Sequence, residues 1–314
     1  MNNVVCIISG PTASGKTDMS IKLCNHLQDA EIVNFDSLLF YKELNIGTAK
    51  PSREEMASCP HHLINICSAK DPINAADYEK VALPIIEKIH SKGKAVILTG
   101  GSGFYLQALL YGMFDSETVS PEIRDRSNSL YESEGITAFL NILKDQDPES
   151  FNQYHENDHY RIRRAVEHWW TMGTKFSQER NRMMAQREEN SNFNKLKWNV
   201  FHIYLNPPKP VHLEIIEKRT KQMLSNGLIE EVKSLLDNGF TGSEKPLLSI
   251  GYKETLQFLD GHLSEEQLCD RINISTRQLA KAQRTWFKKV EKNEYNPIED
   301  QARIFKDFDN LLNK

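Results

Sequence analysis

The feature that most constrains the fold is a glycine-containing loop near the N-terminus. The stretch VVCIISGPTASGKTD has Gly10, Gly15, Lys16 and Thr17 at the spacing of a phosphate-binding loop, directly after an apolar, β-branched run at residues 4–8. Glycines let successive backbone N–H groups surround an anion, and the following helix adds its positive end. An ordinary glycine turn is the alternative, but the order of strand, loop and helix favours a phosphate site. The loop alone leaves open whether its ligand is ATP or another diphosphate.

The same loop carries two side chains suited to phosphate chemistry. Lys16 adds a mobile positive charge, and the hydroxyl of Thr17 is placed to ligate Mg²⁺. A conventional phosphate-loop ATPase also needs an acidic residue at the end of a second apolar strand. The strand in KAVILTGGSGFY ends instead in Thr99, Gly100 and Gly101, which counts against a motor or switch NTPase.

Short apolar strands alternate with helical stretches through the first third of the chain. We expect strands at residues 4–8, 31–35, 63–67 and 95–99, and helices from 16 to about 27 and from 76 to about 90. This alternation predicts an α/β fold, a P-loop NTPase-like parallel sheet flanked by helices, with ligands at the carboxyl ends of the strands. Asp36 and the run TGGSG lie at such ends.

The composition of the sequence changes near residue 116. From there to about residue 197 the chain is rich in Glu, Asn, Gln and Arg with a helical pattern, and a β-like run, WNVFHIYL, follows at once. We therefore expect an all-helical insertion domain at 116–198. The discontinuous P-loop core would comprise 1–115 and 199–314, with helices towards its C-terminal end.

The composition excludes several classes of protein. Hydrophobic residues at 39% and charged residues at 26% are typical of a soluble globular chain, and no leader or membrane-length apolar run is evident. We expect a cytoplasmic protein with no membrane association and no obligate protein partner. Five scattered cysteines fit neither a disulfide framework nor a zinc site, so we expect reduced structural thiols. A net charge of −4 argues against indiscriminate nucleic-acid binding, although local basic surfaces are compatible with it.

Two polar residues near the ends of predicted strands are candidates for catalysis. Asp36, in VNFDSLLFY, could accept a proton from an attacking nucleophile, and it could equally be the N-cap of a short helix. Ser102 lies in TGGSGFYLQALLYG, where glycines permit close approach of a ligand. A plain strand-to-helix turn fits the same letters. The residues alone leave both alternatives open.

Two helical segments combine arginines with aromatic residues, a pattern that suits phosphate contacts and base stacking on RNA. The segment HENDHYRIRRAVEHWW carries Arg161, Arg163 and Arg164. The segment STRQLAKAQRTWFKKVEK carries Arg277 and Arg284. A solvated basic face is the alternative for both segments.

Eight stretches of the chain, in the same order as in the family, resemble the bacterial tRNA dimethylallyltransferases. They are GPTASGKT, DSLLFYKELNIGTAKP, HHLINI, GGSGFYLQALLYG, NDHYRIRRAVE, RTKQMLSNGLIEEVKSLL, IGYKE and TRQLAKAQRTWF. The resemblance covers essentially the whole chain. A chance match to one motif is common, but eight ordered matches are not.

This resemblance implies transfer of a dimethylallyl group from dimethylallyl diphosphate to N6 of the adenosine 3′-adjacent to the anticodon. That adenosine is position 37 of tRNAs reading codons that begin with U. The phosphate loop would then hold the diphosphate of an isoprenoid donor and not ATP. An allylic diphosphate leaves readily, so the main catalytic task is to stabilise negative charge on the departing group. No hydrolytic water is needed, so the missing acidic residue becomes an expected absence.

The resemblance also assigns roles to single residues. Asp36 is the base that takes the proton of the adenine amine, Ser102 helps to orient that amine, and Lys16 and Arg219 act on the diphosphate. By itself, Arg219 in IEKRTKQMLSNGL would indicate no more than a surface ion pair. The implied diphosphate site is Gly10, Pro11, Thr12, Ala13, Ser14, Gly15, Lys16 and Thr17, with Thr17 also on Mg²⁺.

The tRNA anticodon stem-loop is the implied partner, gripped by the helical insertion. The residues that fall where the family contacts it are Asp36, Ser37, Leu38, Leu39, Ser102, Arg124, Tyr160, Arg161, Ile162, Arg163, Arg164, Leu248, Ser249, Ile250, Gly251, Tyr252 and Lys253. Arg277 and Arg284 are added to the tRNA-binding set because of the basic, aromatic pattern around them.

Two positions depart from the family pattern. Ser102 stands where the family usually has Thr, which keeps the hydroxyl but loses the methyl group that fixes its rotamer. Ala282, in AKAQ, stands where many relatives have a basic residue, which removes one phosphate contact. Two other classes are considered as alternatives: a small-molecule kinase with Asp36 as its base, and a non-catalytic RNA-binding protein that retains the loop as scaffold.

Overall fold

The computed structural model describes residues 3–112, 119–186, 189 and 191–312. Within them, six strands form one parallel sheet in the order β3-β2-β4-β1-β5-β6. The strands are β1 (Val4–Ser9), β2 (Ala30–Asn34), β3 (His61–His62), β4 (Ala95–Gly100), β5 (Asn199–Leu205) and β6 (Asn293–Tyr295). This arrangement confirms the predicted α/β class with a parallel sheet.

Helices connect the strands and make up most of the remaining structure. They are α1 (Lys16–Leu27), α2 (Arg53–Ser58), α3 (Ala75–Ser91), α4 (Gly103–Tyr111), α5 (Pro121–Glu134), α6 (Ile136–Gln146), α7 (Pro148–Gln153), α8 (His159–Met172), α9 (Phe176–Gln186), α10 (Asn192–Lys195), α11 (Lys209–Ser225), α12 (Leu228–Asp237), α13 (Tyr252–Leu259), α14 (Glu265–Phe287) and α15 (Gln301–Leu312). Two 3-10 helices lie at Ser37–Phe40 and Lys245–Leu248.

The sheet brings the loops that follow β1, β2 and β4 to one edge. Ser9 at the end of β1 pairs with Gly100 at the end of β4, and Asn34 at the end of β2 pairs with Thr99. Because all the strands are parallel, the phosphate loop, the turn at Asp36 and the glycine turn after β4 emerge side by side.

Two predicted features of the sheet need correction. Residues 63–67 do not form a strand, because Leu63 and Asn65 have positive φ angles of 61° and 58°, which interrupt an extended ladder. The edge strand lies just before them, at β3, and Cys67 makes only an isolated bridge to Tyr41. Strand β6 was not predicted, since it is three residues long with mostly exposed side chains and pairs at the edge with β5.

The core of the sheet unit is apolar on both faces of β1. Val4, Cys6 and Ile8 pack in a cluster with residues of α1 and α15, while Val5 and Ile7 are buried on the opposite face. A central parallel strand that is covered on both sides is expected to be continuously apolar, as this one is.

Two cysteines of this core are bonded to each other. Cys24 on α1 and Cys59 after α2 form a disulfide, with their Cα atoms 6.4 Å apart. The expectation of reduced thiols throughout is therefore wrong for this pair. Chain folding brings together two residues that are 35 positions apart in sequence, and no spacing rule marks them.

The chain divides into two compact units. One comprises Met1–Gly112 with Leu196–Lys314, and the other is Met113–Lys195. The predicted boundary at residues 115 and 116 lies outside the described residues. No described helix is long and apolar enough to cross a bilayer.

The second unit is helical and has its own core. Phe139 and Leu143 of α6 pack against Ile162 and Val166 of α8. Beside this core, the buried carboxylate of Asp147 caps α7 and accepts hydrogen bonds from residues of α7 and α9. These contacts link α9 to α7 at the point where α6 ends.

Candidate active site

The phosphate loop is folded tightly by residues with left-handed backbone. Ala13 and Gly15 have φ angles of 61° and 83°, and Gly15 is the N-cap of α1. A Cβ atom at Gly10 would lie 2.4 Å from the carbonyl oxygen of Leu205 on β5. Only glycine fits at position 10, because the loop passes so close to the neighbouring strand.

Lys16 folds back onto its own loop, and Ser14 is buried in it. The Lys16 ammonium donates to the carbonyl oxygens of Gly10, at 3.1 Å, and Pro11, at 2.9 Å. Burial lowers the pKa of Lys16 to about 8, although the nearby Asp36 carboxylate acts in the opposite direction. The buried hydroxyl of Ser14 has no hydrogen-bond partner among the described residues. Buried polar atoms are normally satisfied, so an unpaired hydroxyl here is consistent with a bound polar ligand.

Asp36 is the N-cap of the 3-10 helix that follows β2. Its Oδ1 accepts a hydrogen bond of 3.2 Å from the backbone N–H of Leu38, and its own N–H donates to Asn34 Oδ1 at 2.8 Å. The capping role that the sequence left open is therefore observed. It leaves the carboxylate on the wall of the cavity described below, so capping and proton transfer are compatible.

The glycine turn after β4 packs directly on the Asp36 turn. The Ser102 hydroxyl accepts a hydrogen bond of 3.1 Å from the N–H of Ser37 and lies 3.3 Å from the Ser37 hydroxyl. A Cβ atom at Gly100 would lie 2.7 Å from the backbone of Phe35. Ser102 therefore bonds to the neighbouring turn and makes no capping bond to its own helix, α4.

Arg219 lies on α11 and faces the same cavity. Its guanidinium donates to the carbonyl oxygen of Thr48 at 3.4 Å, and none of the ion pairs among the described residues includes it. Burial lowers its pKa and the Asp36 charge opposes that shift. The loop that presents Thr48 is itself fixed, since Ile46 N–H donates to the Glu231 carboxylate of α12 at 2.8 Å. The interpretation of Arg219 as a surface ion pair is wrong.

Asp36, Ser102 and Arg219 line one cavity of about 580 Å³. Its polar wall contains Thr12, Asp36, Ser102 and Arg219. Its apolar wall is formed by Ile216, Met223, Leu248, Leu279, Trp286 and Phe287. The cavity therefore combines a polar end, which includes one cation and one carboxylate, with a hydrophobic lining.

The other residues predicted to contact tRNA differ in exposure. In the first unit, Leu248, Lys253 and Arg277 are exposed, whereas Gly251 and Tyr252 are buried. The sheet unit therefore offers only part of the predicted set to a large ligand.

The second unit also exposes only some of its predicted residues. Tyr160, Arg161 and Arg124 are exposed, and Ile162 is in the core of the unit. Arg163 donates to Ser127 and Asn128, and Arg164 pairs with Glu167. Because the Ile162 side chain is buried, we do not propose that it contacts RNA.

Sequence reasoning missed two residues that hold the phosphate loop. Gln283 and His212 both hydrogen-bond to the backbone of Thr12. Gln283 lies in the motif TRQLAKAQRTWF, but a neutral side chain in a basic helix gave no reason to single it out. No group of three or more His, Cys, Asp or Glu residues in the described part of the chain could hold a metal ion.

Three comparisons identify the family. The model of the IPP transferase family matches residues 39–290. The tRNA dimethylallyltransferase 1 of Citrifermentans bemidjiense is 38% identical over 285 residues, which cover 91% of this chain and 89% of that protein.

Two solved structures are also similar. The tRNA isopentenylpyrophosphate transferase of Bacillus halodurans has a TM-score of 0.71 and 29% identity, covering 99% of this chain and 97% of that one. A eukaryotic dimethylallyltransferase acting on tRNA has a TM-score of 0.79 and 27% identity, covering 95% of this chain and 74% of that one. The family model covers well over half of the chain, and the chain belongs to the IPP transferase family.

Proposed function

We propose that this protein transfers the dimethylallyl group of dimethylallyl diphosphate to N6 of adenosine 37 in tRNAs that read codons beginning with U. The C–O bond to the diphosphate breaks, a C–N bond forms, and the amine loses one proton. The products are i6-modified tRNA and diphosphate.

The observation that carries the proposal is the composition of the cavity that Asp36 and Arg219 line. The phosphate loop reaches it through Thr12, the cation of Arg219 faces it, and Asp36 lies on its wall, while the remaining lining is largely apolar. Dimethylallyl diphosphate has the matching distribution, with a multiply charged anionic head and a five-carbon apolar body. The end of β4 at Thr99 and Gly100 carries no carboxylate, which disfavours an ATPase-type metal site.

The charged residues act on the leaving group. Allylic C–O cleavage leaves negative charge on the diphosphate, and preorganised donors at that position lower the barrier. Lys16, Arg219 and the loop N–H groups supply such donors. Lys16 and Arg219 donate to backbone carbonyls, and no ion pair among the described residues includes either of them.

Asp36 and Ser102 act on the amine. The lone pair of an adenine amine is drawn into the ring, so the nitrogen is a weak nucleophile and must shed a proton as the new bond forms. The Asp36 carboxylate accepts that proton. The Ser102 hydroxyl lies on the adjoining turn, 3.1 Å from the Ser37 N–H, and orients the amine.

Thr17 is the residue that would hold Mg²⁺. It lies in the first turn of α1, and the unpaired buried hydroxyl of Ser14 is in the same loop. Mg²⁺ is usually bound by one or two protein oxygens together with phosphate oxygens and water, so the absence of an acidic cluster among the described residues fits this mode. When bound, the ion supplies positive charge to the diphosphate.

We propose tRNA as the acceptor because similar proteins are named for acting on it. The target adenosine must leave the anticodon stack to reach Asp36. Exposed residues such as Tyr160, Arg161 and Arg124 of the helical unit, and Lys253 and Arg277 of the sheet unit, are suited to positioning the anticodon arm.

A transfer assay tests the proposal. Purified protein is incubated with Mg²⁺, dimethylallyl diphosphate and an unmodified anticodon stem-loop that has adenosine at position 37. We expect release of diphosphate and an RNA mass increase of one dimethylallyl group in place of one hydrogen. A stem-loop with guanosine at position 37 is the matched control and should remain unchanged. No transfer to the adenosine substrate, with thermal stabilisation by ATP and none by the prenyl donor, would contradict the proposal and favour a kinase.

A further inference from the structure

The peptide of Thr12 in the phosphate loop is held from both sides by the C-terminal part of the chain. Gln283 Oε1 on α14 accepts a hydrogen bond of 2.7 Å from the Thr12 N–H. His212 Nε2 on α11 lies 2.8 Å from the Thr12 carbonyl oxygen. These partners are 271 and 200 positions away in sequence, so tertiary packing alone brings them to the loop.

The partners of His212 define its protonation state. A carbonyl oxygen can only accept, so the ring donates to Thr12 through Nε2–H. Its Nδ1 lies 2.8 Å from a nitrogen of the Arg284 guanidinium, which can only donate, so Nδ1 is unprotonated. Burial lowers the pKa of His212, and the charges of Arg284 and Lys16 act in the same direction. A neutral imidazole of fixed tautomer therefore links Arg284 to Thr12.

Arg284 is anchored in turn by the segment that follows β5. Its Nε donates to Asn206 Oδ1 at 2.8 Å, and its second nitrogen donates to the Pro207 carbonyl at 3.3 Å. With three acceptors inside the protein, the Arg284 guanidinium is engaged in holding the loop. This network gives a structural role to Arg284, which the sequence pattern had assigned to RNA contact.

The other end of the Gln283 amide reaches the second half of the site. Its Nε2 donates to the carbonyl oxygen of Gly101 at 3.0 Å. Gly101 precedes Ser102, whose hydroxyl is bonded to the N–H of Ser37 next to Asp36. A Cβ atom at Gly101 would lie 2.6 Å from that amide nitrogen, so the contact requires glycine there. One side chain therefore bridges the phosphate loop and the turns that carry Ser102 and Asp36.

We propose that Gln283 is a positioning residue that fixes the diphosphate-binding loop relative to the Asp36 and Ser102 turns, with His212 and Arg284 holding the opposite side of the same Thr12 peptide. The inference rests on the proposed transfer reaction, because the distance between donor and base matters only if both act in one step. The Thr12 N–H is already used, so the diphosphate is bound by the N–H groups that follow it in the loop.

The test replaces the amide and measures donor and acceptor separately. Gln283→Met keeps the length of the side chain and removes both hydrogen bonds, while Gln283→Glu keeps the acceptor for Thr12 and loses the donor to Gly101. Gln278→Met, at an exposed position of the same helix, is the matched control. We expect a fall of about 10- to 100-fold in kcat/KM for the prenyl donor in both Gln283 variants, with the KM for tRNA unchanged.

Calorimetric titration of inorganic diphosphate with Mg²⁺ separates this inference from the proposed function. Gln283→Met should bind diphosphate about tenfold more weakly than wild type and Gln278→Met, even if no transfer to RNA is found. Thermal melting identifies a variant that fails to fold, and Gln283→Glu then provides the measurement. Unchanged diphosphate affinity and unchanged donor kinetics in a folded Gln283 variant would overturn the inference. A rise of equal size in the KM for tRNA would also overturn it, since this would indicate that the whole site has become less rigid.

Discussion

Charged side chains have different partners at the two edges of the parallel sheet, the amino edge where the strands begin and the carboxyl edge where they end. At the amino edge, the buried Glu31 carboxylate is bonded to His62 at 2.7 Å and Lys94 at 3.0 Å, with Lys92 at 3.5 Å. At the carboxyl edge, Lys16 and Arg219 donate to backbone carbonyls and share no ion pair with the described residues.

The difference separates stabilising charges from functional ones. An ion cluster that neutralises itself has little to offer a ligand, whereas cations held by carbonyl oxygens keep their charge for an anion. In the helical unit, Arg161, Arg163 and Arg164 are all bonded to side chains of their own unit, and of the three only Arg161 is exposed. Charge type alone, which is what a sequence displays, does not distinguish these cases.

We expect the largest effect from replacing Asp36, the carboxylate at the carboxyl edge. Asp36→Asn should lower kcat by about 10²- to 10⁴-fold, because the amide cannot accept the proton of the amine. Asparagine is an equally good N-cap, so the bond to Leu38 and the melting temperature should be preserved. Single-turnover transfer kinetics and thermal melting check both statements, and Asp237→Asn, at an exposed position of α12, is the control. An active Asp36→Asn enzyme would remove Asp36 from the role of base.

The next effect concerns the cation of the same edge. Arg219→Gln should lower kcat/KM for the donor by about 10²- to 10³-fold, since it removes a charge preorganised for the departing diphosphate. Steady-state kinetics with the donor varied is the measurement, with Arg271→Gln on the exposed side of α14 as the matched control. Equal behaviour of the two variants would mean that Arg219 does not differ functionally from an exposed arginine.

The lowered pKa of Lys16 predicts a dependence on pH. The folded-state pKa is about 8, below the ordinary 10.5, so the side chain loses its charge as the pH rises through about 8. The value of kcat/KM for the donor should then fall about tenfold per pH unit above that point. In Lys16→Arg, whose guanidinium stays charged, this fall should be absent. A wild-type profile that is flat to pH 10 would contradict the assignment.

Glu31 at the amino edge should affect stability and not catalysis. Burial alone would raise its pKa, but the hydrogen bonds from His62 and Lys94 and the charges of both lysines outweigh burial and lower it to about 2. Its folded pKa is thus below the ordinary 4.5, so the stabilisation is fully present above pH 4.5 and is lost as the pH falls towards 2.

We expect Glu31→Gln to lower the free energy of unfolding by about 1–3 kcal/mol near neutral pH and to leave kcat unchanged. Urea denaturation at several pH values checks this, and the difference from wild type should shrink as the medium becomes acidic. A large loss of kcat in a folded Glu31→Gln protein would break the distinction between the two edges.

The smallest effect is expected from the arginines of the helical unit. Arg161 forms an ion pair with Asp158, but its side chain is 65% exposed, and an exposed ion pair of this kind contributes little. Arg161 should therefore exchange Asp158 for an RNA phosphate, and Arg161→Gln should flatten the slope of log K against log salt by roughly 0.7–0.9. Arg163→Gln should leave that slope unchanged and lower the melting temperature instead, since it loses the hydrogen bonds to Ser127 and Asn128. Filter binding of the stem-loop over a salt series distinguishes the two. A reversed pattern would mean that Arg163 leaves its internal partners when RNA binds.

Much of the fold follows from local patterns in the sequence. The phosphate loop, β1, β2, β4 and the first helices were predictable because apolar periodicity and glycine spacing act over a few residues. The failures have physical causes. Leu63 adopts a positive φ angle, which leucine rarely does, and Asn65 adopts another two residues later. Strand β6 is three residues long, too short to show a periodic pattern.

The candidate site was predicted less completely than the fold. Asp36 and Ser102 were candidates from their positions, with a helix cap and a plain turn as the alternatives, whereas Arg219 received a role only through the family resemblance. The structure places all three on one cavity. Gln283 and His212 were not predicted, since their partner is a backbone peptide in a distant loop. Almost every residue type offers the same backbone N–H and C=O groups, so the residue types in a sequence do not reveal such a partner.

By itself, the sequence determined the elements that local physics governs: an anion loop between a strand and a helix, the parallel alternation and the family. Only the tertiary structure decided which charges are neutralised and which remain available. It also decided which side chains hold the Thr12 peptide and that Cys24 meets Cys59. The reason is that neutralisation and burial depend on distances between residues far apart in the chain, and a one-dimensional pattern contains no such distances.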